Sequence, residues 1–244
     1  MKKFSSLFRS FMHFQLTLVK PLTRRSRPIE LGRLNCTEPV SSNFGFERGR
    51  PIDRYYINIF LSQNTNDVRG RVLEISDNGY TKRLGGKKVK QSDVLHAVEG
   101  NPKATIVSDI TKADNIPSDS FDCIILTQTL QFIYDTKSAV RHLHRILKPN
   151  GVLLATMSGI SQISRYDMDH WGEYWRFTTA SAKQLFEEEF LPENIEVKAY
   201  GNVLSSTAFL YGLAVEDLKT EQLDYHDPNY QMLVTVRAVK ADKQ

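Results

Sequence analysis

Residues 104–157 read ATIVSDITKADNIPSDSFDCIILTQTLQFIYDTKSAVRHLHRILKPNGVLLATM, in the order strand, loop, strand, helix, strand. Residues 104–109 form a short β-rich run that closes on Asp109. Residues 121–128 hold the unbroken apolar run Cys123-Ile124-Ile125-Leu126, too short for a helix. Asp135 stands where it can cap a helix whose apolar positions are Ala139, Leu143, Ile146 and Leu147. Lys148-Pro149-Asn150-Gly151 ends that helix, because Pro cannot continue it and Asn or Gly accepts a left-handed turn. Residues 152–157 are a third apolar run. Strands that are apolar on both faces and alternate with an amphipathic helix predict a parallel sheet covered on both sides.

Upstream, residues 71–76 (RVLEIS) predict a first strand and residues 88–93 a second that closes on Asp93. Pro51 suits the first turn of a helix carrying the stripe Ile52, Tyr55, Tyr56, Ile59 and Phe60. Downstream, Thr178 or Thr179 caps a helix reaching Phe190, and residues 195–200 are a sixth strand. Residues 203–218 read as one buried apolar helix, and residues 231–240 as a long alternating strand. Asp122 reads as a polar anchor at the start of the fourth strand.

The wording SDITKADNIPSDSFDCIIL followed by LHRILKPNGVLLAT resembles the class I S-adenosylmethionine-dependent methyltransferases. More closely, it resembles the type-11-like members found with polysaccharide and glycosyltransfer systems. The resemblance runs from about residue 50 to about residue 240. It implies an α/β fold with a seven-stranded, mostly parallel sheet in the order 3-2-1-4-5-7-6. The last strand is antiparallel, and helices cover both faces. It also implies S-adenosylmethionine as cofactor and a small-molecule or glycan acceptor, methylated on oxygen.

The same resemblance assigns roles. Glu74-Ile75-Ser76-Asp77-Asn78-Gly79-Tyr80 aligns with an acid-x-Gly-x-Gly-x-Gly turn. Ser76, Asn78 and Tyr80 occupy the glycine positions, and Gly79 is off register. Glu74, Ser76, Asp77 and Gly79 are the cofactor-binding candidates of that turn. A carboxylate at the tip of the next strand, Asp93, would accept the ribose hydroxyls. Asp109 and Ile110 would meet the adenine, and Thr127 would floor the site beneath the sulfonium. Residues 164–178 hold both tryptophans, three carboxylates, a histidine and two arginines, the chemistry of an acceptor wall. Arg165, Trp171, Tyr174, Trp175 and Arg176 are its substrate-binding candidates, with Arg54 and Tyr55 on the helix before the sheet. His170 and Asp169, or Asp167, are the candidates for taking a proton from a hydroxyl. One acidic cluster lacks the dispersed ligands of a metal site, so no metal is expected. The lost glycines leave an alternative open: a non-catalytic relative that binds a partner in glycan assembly.

The chain has 244 residues, 25% charged and 41% hydrophobic, the composition of an ordinary globule. A net charge of +4 spread along the chain gives no nucleic-acid footprint. Two cysteines, Cys36 and Cys123, make no disulfide framework, and a reducing, cytoplasmic setting follows. No run reaches the length of a membrane span. Residues 1–43 form a basic arm and linker, and residues 44–244 the methyltransferase-like domain with its lid helix. No acid precedes Glu30, whereas Lys2, Lys3, Arg9, Lys20, Arg24, Arg25 and Arg27 do. Phe4, Leu7, Phe8, Phe11 and Met12 follow helical spacing among them. Residues 1–28 therefore suit a peripheral membrane contact, an import peptide, or a helix packed on its own domain or a partner subunit. Oligomeric state has no signal in the sequence.

Overall fold

The computed structural model describes residue 32 and residues 35–242. The chain divides into two units, Met1–Thr37 and Glu38–Gln244. The readings of residues 1–28 lie outside the described residues.

Seven strands form one sheet in the order β3-β2-β1-β4-β5-β7-β6. They are β1 (Gly70–Ile75), β2 (Val89–His96), β3 (Ile106–Val107), β4 (Phe121–Thr127), β5 (Leu147–Ser158), β6 (Ile195–Tyr200) and β7 (Leu233–Val239). The first five run parallel, and β7 pairs antiparallel with both β5 and β6. This is the expected order, with the last strand antiparallel as expected.

Alternate residues of the central strands divide the core in two. Leu73, Ile124, Leu126, Leu153 and Ala155 pack with α3 (Thr136–Ile146) and α5 (Thr179–Phe186) on one face. Val72, Cys123, Ile125, Val152 and Leu154 pack with α1 (Ile52–Gln63) and α6 (Val203–Leu210) on the other. Both faces being covered is why these strands lack polar alternation. Asp135 caps α3, its carboxylate accepting from the Ser138 amide at 3.0 Å. Asp122 pins the base of the sheet, accepting from the Arg71 amide and the Lys148 ammonium, both at 2.7 Å.

Several element boundaries differ from the sequence reading: the helix expected to reach Phe190 ends at Phe186, and the last strand is Leu233–Val239. β2 continues past Asp93 to His96, because Val94 and Leu95 extend its buried face. β3 contracts to two residues. β5 begins at Leu147, so Lys148-Pro149-Asn150-Gly151 lies inside the strand as a register shift, with Asn150 at φ +62. α6 stops at Leu210. Gly212 follows at φ +70, where the chain passes so close to the Ser41 backbone that no Cβ would fit. Val203, Leu204 and Leu210 are exposed, so this helix is not buried on all sides, contrary to the sequence reading. Among the described residues no helix is long and apolar enough to cross a membrane.

Candidate active site

The strand order reverses between β1 and β4, and in an open α/β sheet the crevice forms outside the strand tips at that point. A cavity of about 940 Å³ lies there. Its floor is Ile75 and Ser76 after β1, Leu95 to Val98 at the end of β2, Ser108 to Lys112 after β3, and Thr127 to Thr129 after β4. α1 closes one side with Asp53 and Arg54. Tyr134, Tyr166, Trp171 and Tyr174 form an aromatic rim. The volume is at the upper end of the ~300–1,000 Å³ of small-molecule sites.

Two residues flanking the reversal hold left-handed backbone without being glycine: Ser76 at φ +67 and Gln128 at φ +48. Each costs about 1–2 kcal/mol, and such conformations cluster at ligand sites. Ser76 is held by its amide on the Leu95 carbonyl and its own carbonyl on the Asn101 side chain. Gln128 donates its amide to Thr156, and its side chain accepts from Gln131 and Ser158. The turn after β1 thus survives the loss of its glycines. Tyr80, the bulkiest replacement, faces away from the cavity and packs with the core beneath α1.

The predicted cofactor residues divide. Ser76, Asp109, Ile110 and Thr127 line the cavity together. Asp109 turns one oxygen, Oδ1, onto the Thr111 amide and hydroxyl, both at 2.9 Å. Glu74 does not line it. Its carboxylate accepts from the Tyr80 and Thr81 amides and the Thr81 hydroxyl, tying β1 to the start of α2 (Gly79–Gly85). Burial pushes its pKa up against the pull of those bonds. Asp77 is exposed and accepts from the Gly79 amide at 2.9 Å, and neither residue lines the cavity. Asp93 needs correction. It lies inside β2 opposite Leu73, ion-paired with Arg71 at 2.7 Å and bonded by Gln91 and Thr105. The strand tip holds His96 instead, its Nδ1 2.8 Å from the Val98 carbonyl. The signal missed was the apolar pair Val94-Leu95, which carries the strand onward.

The acceptor-side residues divide too. Arg54, Trp171 and Tyr174 line the cavity, with Tyr166, Asp167 and Glu173. His170 and Asp169 do not. They sit on the exposed face of α4 (Arg165–His170), His170 stacked on Tyr166 and Asp169 paired with Arg165 at 3.0 Å. Asp169 is two residues from Asp167 and so points to another side of the helix, while His170, on the Tyr166 side, stacks on the outer face of that ring. Arg165 and Arg176 are also outside; Arg176 pairs with Glu173 at 2.6 Å. Trp175 supports the rim from behind, stacked on Tyr134 at 5.8 Å with its indole N–H on the Ile133 carbonyl. Tyr55 donates to Asp224 at 2.6 Å, away from the cavity, and burial is the main cause of its pKa being pushed up to about 12.

Two lining residues escaped the sequence reading. Asp53 Oδ1 and Gln131 Oε1 are buried acceptors with no hydrogen-bond partner. Leaving such a group unpaired costs about 1–3 kcal/mol. Burial pushes the Asp53 carboxyl above its ordinary value, with Arg54 pulling it back. The Asp53-Arg54 pair was legible as charges in a first helical turn; Gln131 carries no sequence signal. The full lining holds five carboxylates (Asp53, Asp109, Asp135, Asp167, Glu173) against the cations Arg54 and Lys112. In a chain of net charge +4, the acidic wall is local. Among the described residues no cluster of His, Cys, Asp or Glu could hold a metal ion.

Residues 70–155 match the family model described as a methyltransferase domain. An 85-residue stretch is 32% identical to the ubiquinone/menaquinone biosynthesis C-methyltransferase UbiE of Enterobacter sp. (strain 638), covering 35% of this chain and 32% of the relative. The chain thus spans about a third of that relative's length. Among solved structures, phosphoethanolamine N-methyltransferase 2 of Haemonchus contortus, in complex with S-adenosyl-L-methionine, is similar with a TM-score of 0.50. Identity is 16%, covering 76% of this chain and 53% of that one. The [4+2]-cyclase SpnF is similar with a TM-score of 0.52 at 15% identity, covering 84% and 88%. These likenesses establish the fold, and since one neighbour is a cyclase, the reaction must be argued from the site.

Proposed function

We propose that the chain is an S-adenosylmethionine-dependent methyltransferase that methylates an oxygen of a sugar or glycoconjugate. The observation that carries the reading is the acidic, aromatic cavity at the reversal point of a sheet whose central strands match a methyltransferase domain. When bound, the cofactor supplies a methyl group on positively charged sulfur.

The residues present fit that group. Five carboxylates around the cavity favour a cationic ligand, and the faces of the rim aromatics reinforce this. Ile110, buried beside Asp109, offers an apolar face for adenine, and the Asp109 oxygen not held by Thr111 is available to its amine. The tip of β2 offers His96 to the ribose in place of a carboxylate. Thr127 and Gln128 lie under the reacting end. The protein's main work is then alignment and exclusion of water.

For the acceptor, the rim presents flat aromatic faces that remain accessible: Tyr134, Tyr166, Trp171 and Tyr174. Apolar ring faces beside carboxylates suit a sugar, which is apolar on its flat faces and hydroxylated at its edges. Of the three proton acceptors considered from the sequence, only Asp167 lines the cavity, its carboxylate bonded by the Ser164 hydroxyl at 2.6 Å. Asp167 would take the acceptor hydroxyl's proton, freeing the oxygen to receive the methyl group as its bond to sulfur breaks and the neutral thioether leaves. Under the same proposal the protein works in a reducing, cytoplasmic setting. Residues 1–28 serve as a peripheral membrane contact, which sedimentation with anionic liposomes with and without that arm tests.

Incubation with methyl-labelled S-adenosylmethionine and a panel of oligosaccharides and glycolipids tests the activity. Label should enter at least one acceptor, and Asp167→Asn should slow incorporation without weakening S-adenosylhomocysteine binding. No binding of S-adenosylhomocysteine at about 1 mM would favour the non-catalytic, partner-binding alternative.

A further inference from the structure

The amino-acid end of S-adenosylmethionine carries a carboxylate and an ammonium, and each needs a partner. A helix amino terminus commonly serves the carboxylate with unpaired amides. Here α2 cannot. The Gly79 amide is held by Asp77, and the Tyr80 and Thr81 amides by Glu74. The replaced glycine turn therefore offers no amide of its own at those three positions.

The opposite wall holds what the turn lacks. Asp53 and Arg54 are adjacent in the first turn of α1, and both line the cavity. Of the two cations in the lining, Lys112 lies at the β3 end beside Asp109, so Arg54 is the one remaining for the other end. Tyr80, at the start of α2, packs in the same cluster as the buried residues of α1, and Arg83 of α2 donates to Asn58 of α1 at 2.6 Å, which sets α1 against α2. Arg54 Nη1 is 3.7 Å from Asp53 Oδ2, beyond hydrogen-bond reach, and among the described residues Arg54 has no closer ion pair. Asp53 Oδ1 is buried with no partner, although the side chain is only 14% exposed. A first-turn acid is favoured by the helix dipole. That role does not require an oxygen sealed in a cavity wall without a donor.

We infer that Asp53 and Arg54 form a clamp for the zwitterionic end of the cofactor, Arg54 taking the carboxylate and Asp53 the ammonium. Recognition of the amino-acid end has in effect moved from the turn after β1 to the helix that covers it. The inference rests on the proposed cofactor, and the test separates the two.

Calorimetric titrations of the full chain, wild type, Asp53→Asn and Arg54→Gln, use three probes. S-adenosylhomocysteine carries both charged groups. Decarboxylated S-adenosylmethionine lacks the carboxylate. 5′-Methylthioadenosine lacks the whole amino-acid end and serves as a control for the folded pocket. Each substitution should weaken S-adenosylhomocysteine about tenfold or more while leaving 5′-methylthioadenosine within about twofold. Decarboxylated S-adenosylmethionine should be weakened by Asp53→Asn and not by Arg54→Gln. Unchanged S-adenosylhomocysteine affinity in both variants overturns the clamp, as does an equal loss for 5′-methylthioadenosine. Wild type that binds none of the probes at about 1 mM removes the cofactor, and the clamp with it.

Discussion

Asp93→Ala separates a structural acid from a ribose-binding one. Asp93 lies within β2, its side chain 8% exposed, and accepts from Arg71 Nε at 2.7 Å, Gln91 Nε2 at 3.0 Å and Thr105 Oγ1 at 3.1 Å. Removing one member of a fully buried pair costs about 3–5 kcal/mol because its partner's charge is stranded. Arg71 is not stranded to that extent: its side chain is 34% exposed and also lies over the Phe121 ring at 4.7 Å. The guanidinium can turn to water, so the cost should fall to about 2 kcal/mol. For a chain of this length that lowers the Tm by about 4–8 °C. Scanning calorimetry measures the shift, and titration with S-adenosylhomocysteine measures binding. The geometry predicts the loss of stability with affinity unchanged, since Asp93 does not line the cavity. An affinity loss of about tenfold at unchanged Tm would refute the reasoning and make Asp93 a ribose ligand.

Three further outcomes follow from particular groups. Burial raises the Glu74 carboxyl above its ordinary 4.5. A raised acid contributes stability that is full below its unfolded pKa and lost as pH rises through the folded one. Denaturant titrations over that window should therefore show Glu74→Gln gaining on wild type as pH rises, and a gap widening the other way would contradict the assignment. His170→Ala should leave methyl transfer within about twofold, because the imidazole is stacked outside the cavity; a large fall in initial rate would return His170 to the mechanism. Burial pushes the Cys123 thiol strongly up, while Cys36 is exposed. A thiol reagent on the native protein should modify Cys36 alone, and mass spectrometry showing rapid Cys123 labelling would mean that the sheet opens.

The fold was legible because its determinants are local. Apolar runs such as Cys123 to Leu126, the Asp135 cap and the stripe Ala139, Leu143, Ile146 state their structure without reference to distant residues. Strand ends are different. An acid after an apolar stretch looked like a tip at Asp93, yet what ends β2 is where its neighbour β1 ends, and Leu95 still pairs with Ile75. The lining of the cavity was legible at strand tips, at Ser76, Asp109, Ile110 and Thr127. It was not legible where side-chain direction decides. On α4, Asp167 and Asp169 are two residues apart, and only Asp167 reaches the cavity. Glu74 looked like a ligand from its place in the turn. It is instead occupied by the Tyr80 and Thr81 amides, a pairing between residues six and seven apart that no pattern of residue types announces.

The most direct measurement is a crystal structure with S-adenosylhomocysteine. Density for adenine beside Asp109 and Ile110, with the amino-acid end toward Asp53 and Arg54 and the sulfur above Thr127, is the predicted result. Density elsewhere on the molecule, or the opposite orientation with adenine against α1, would contradict it.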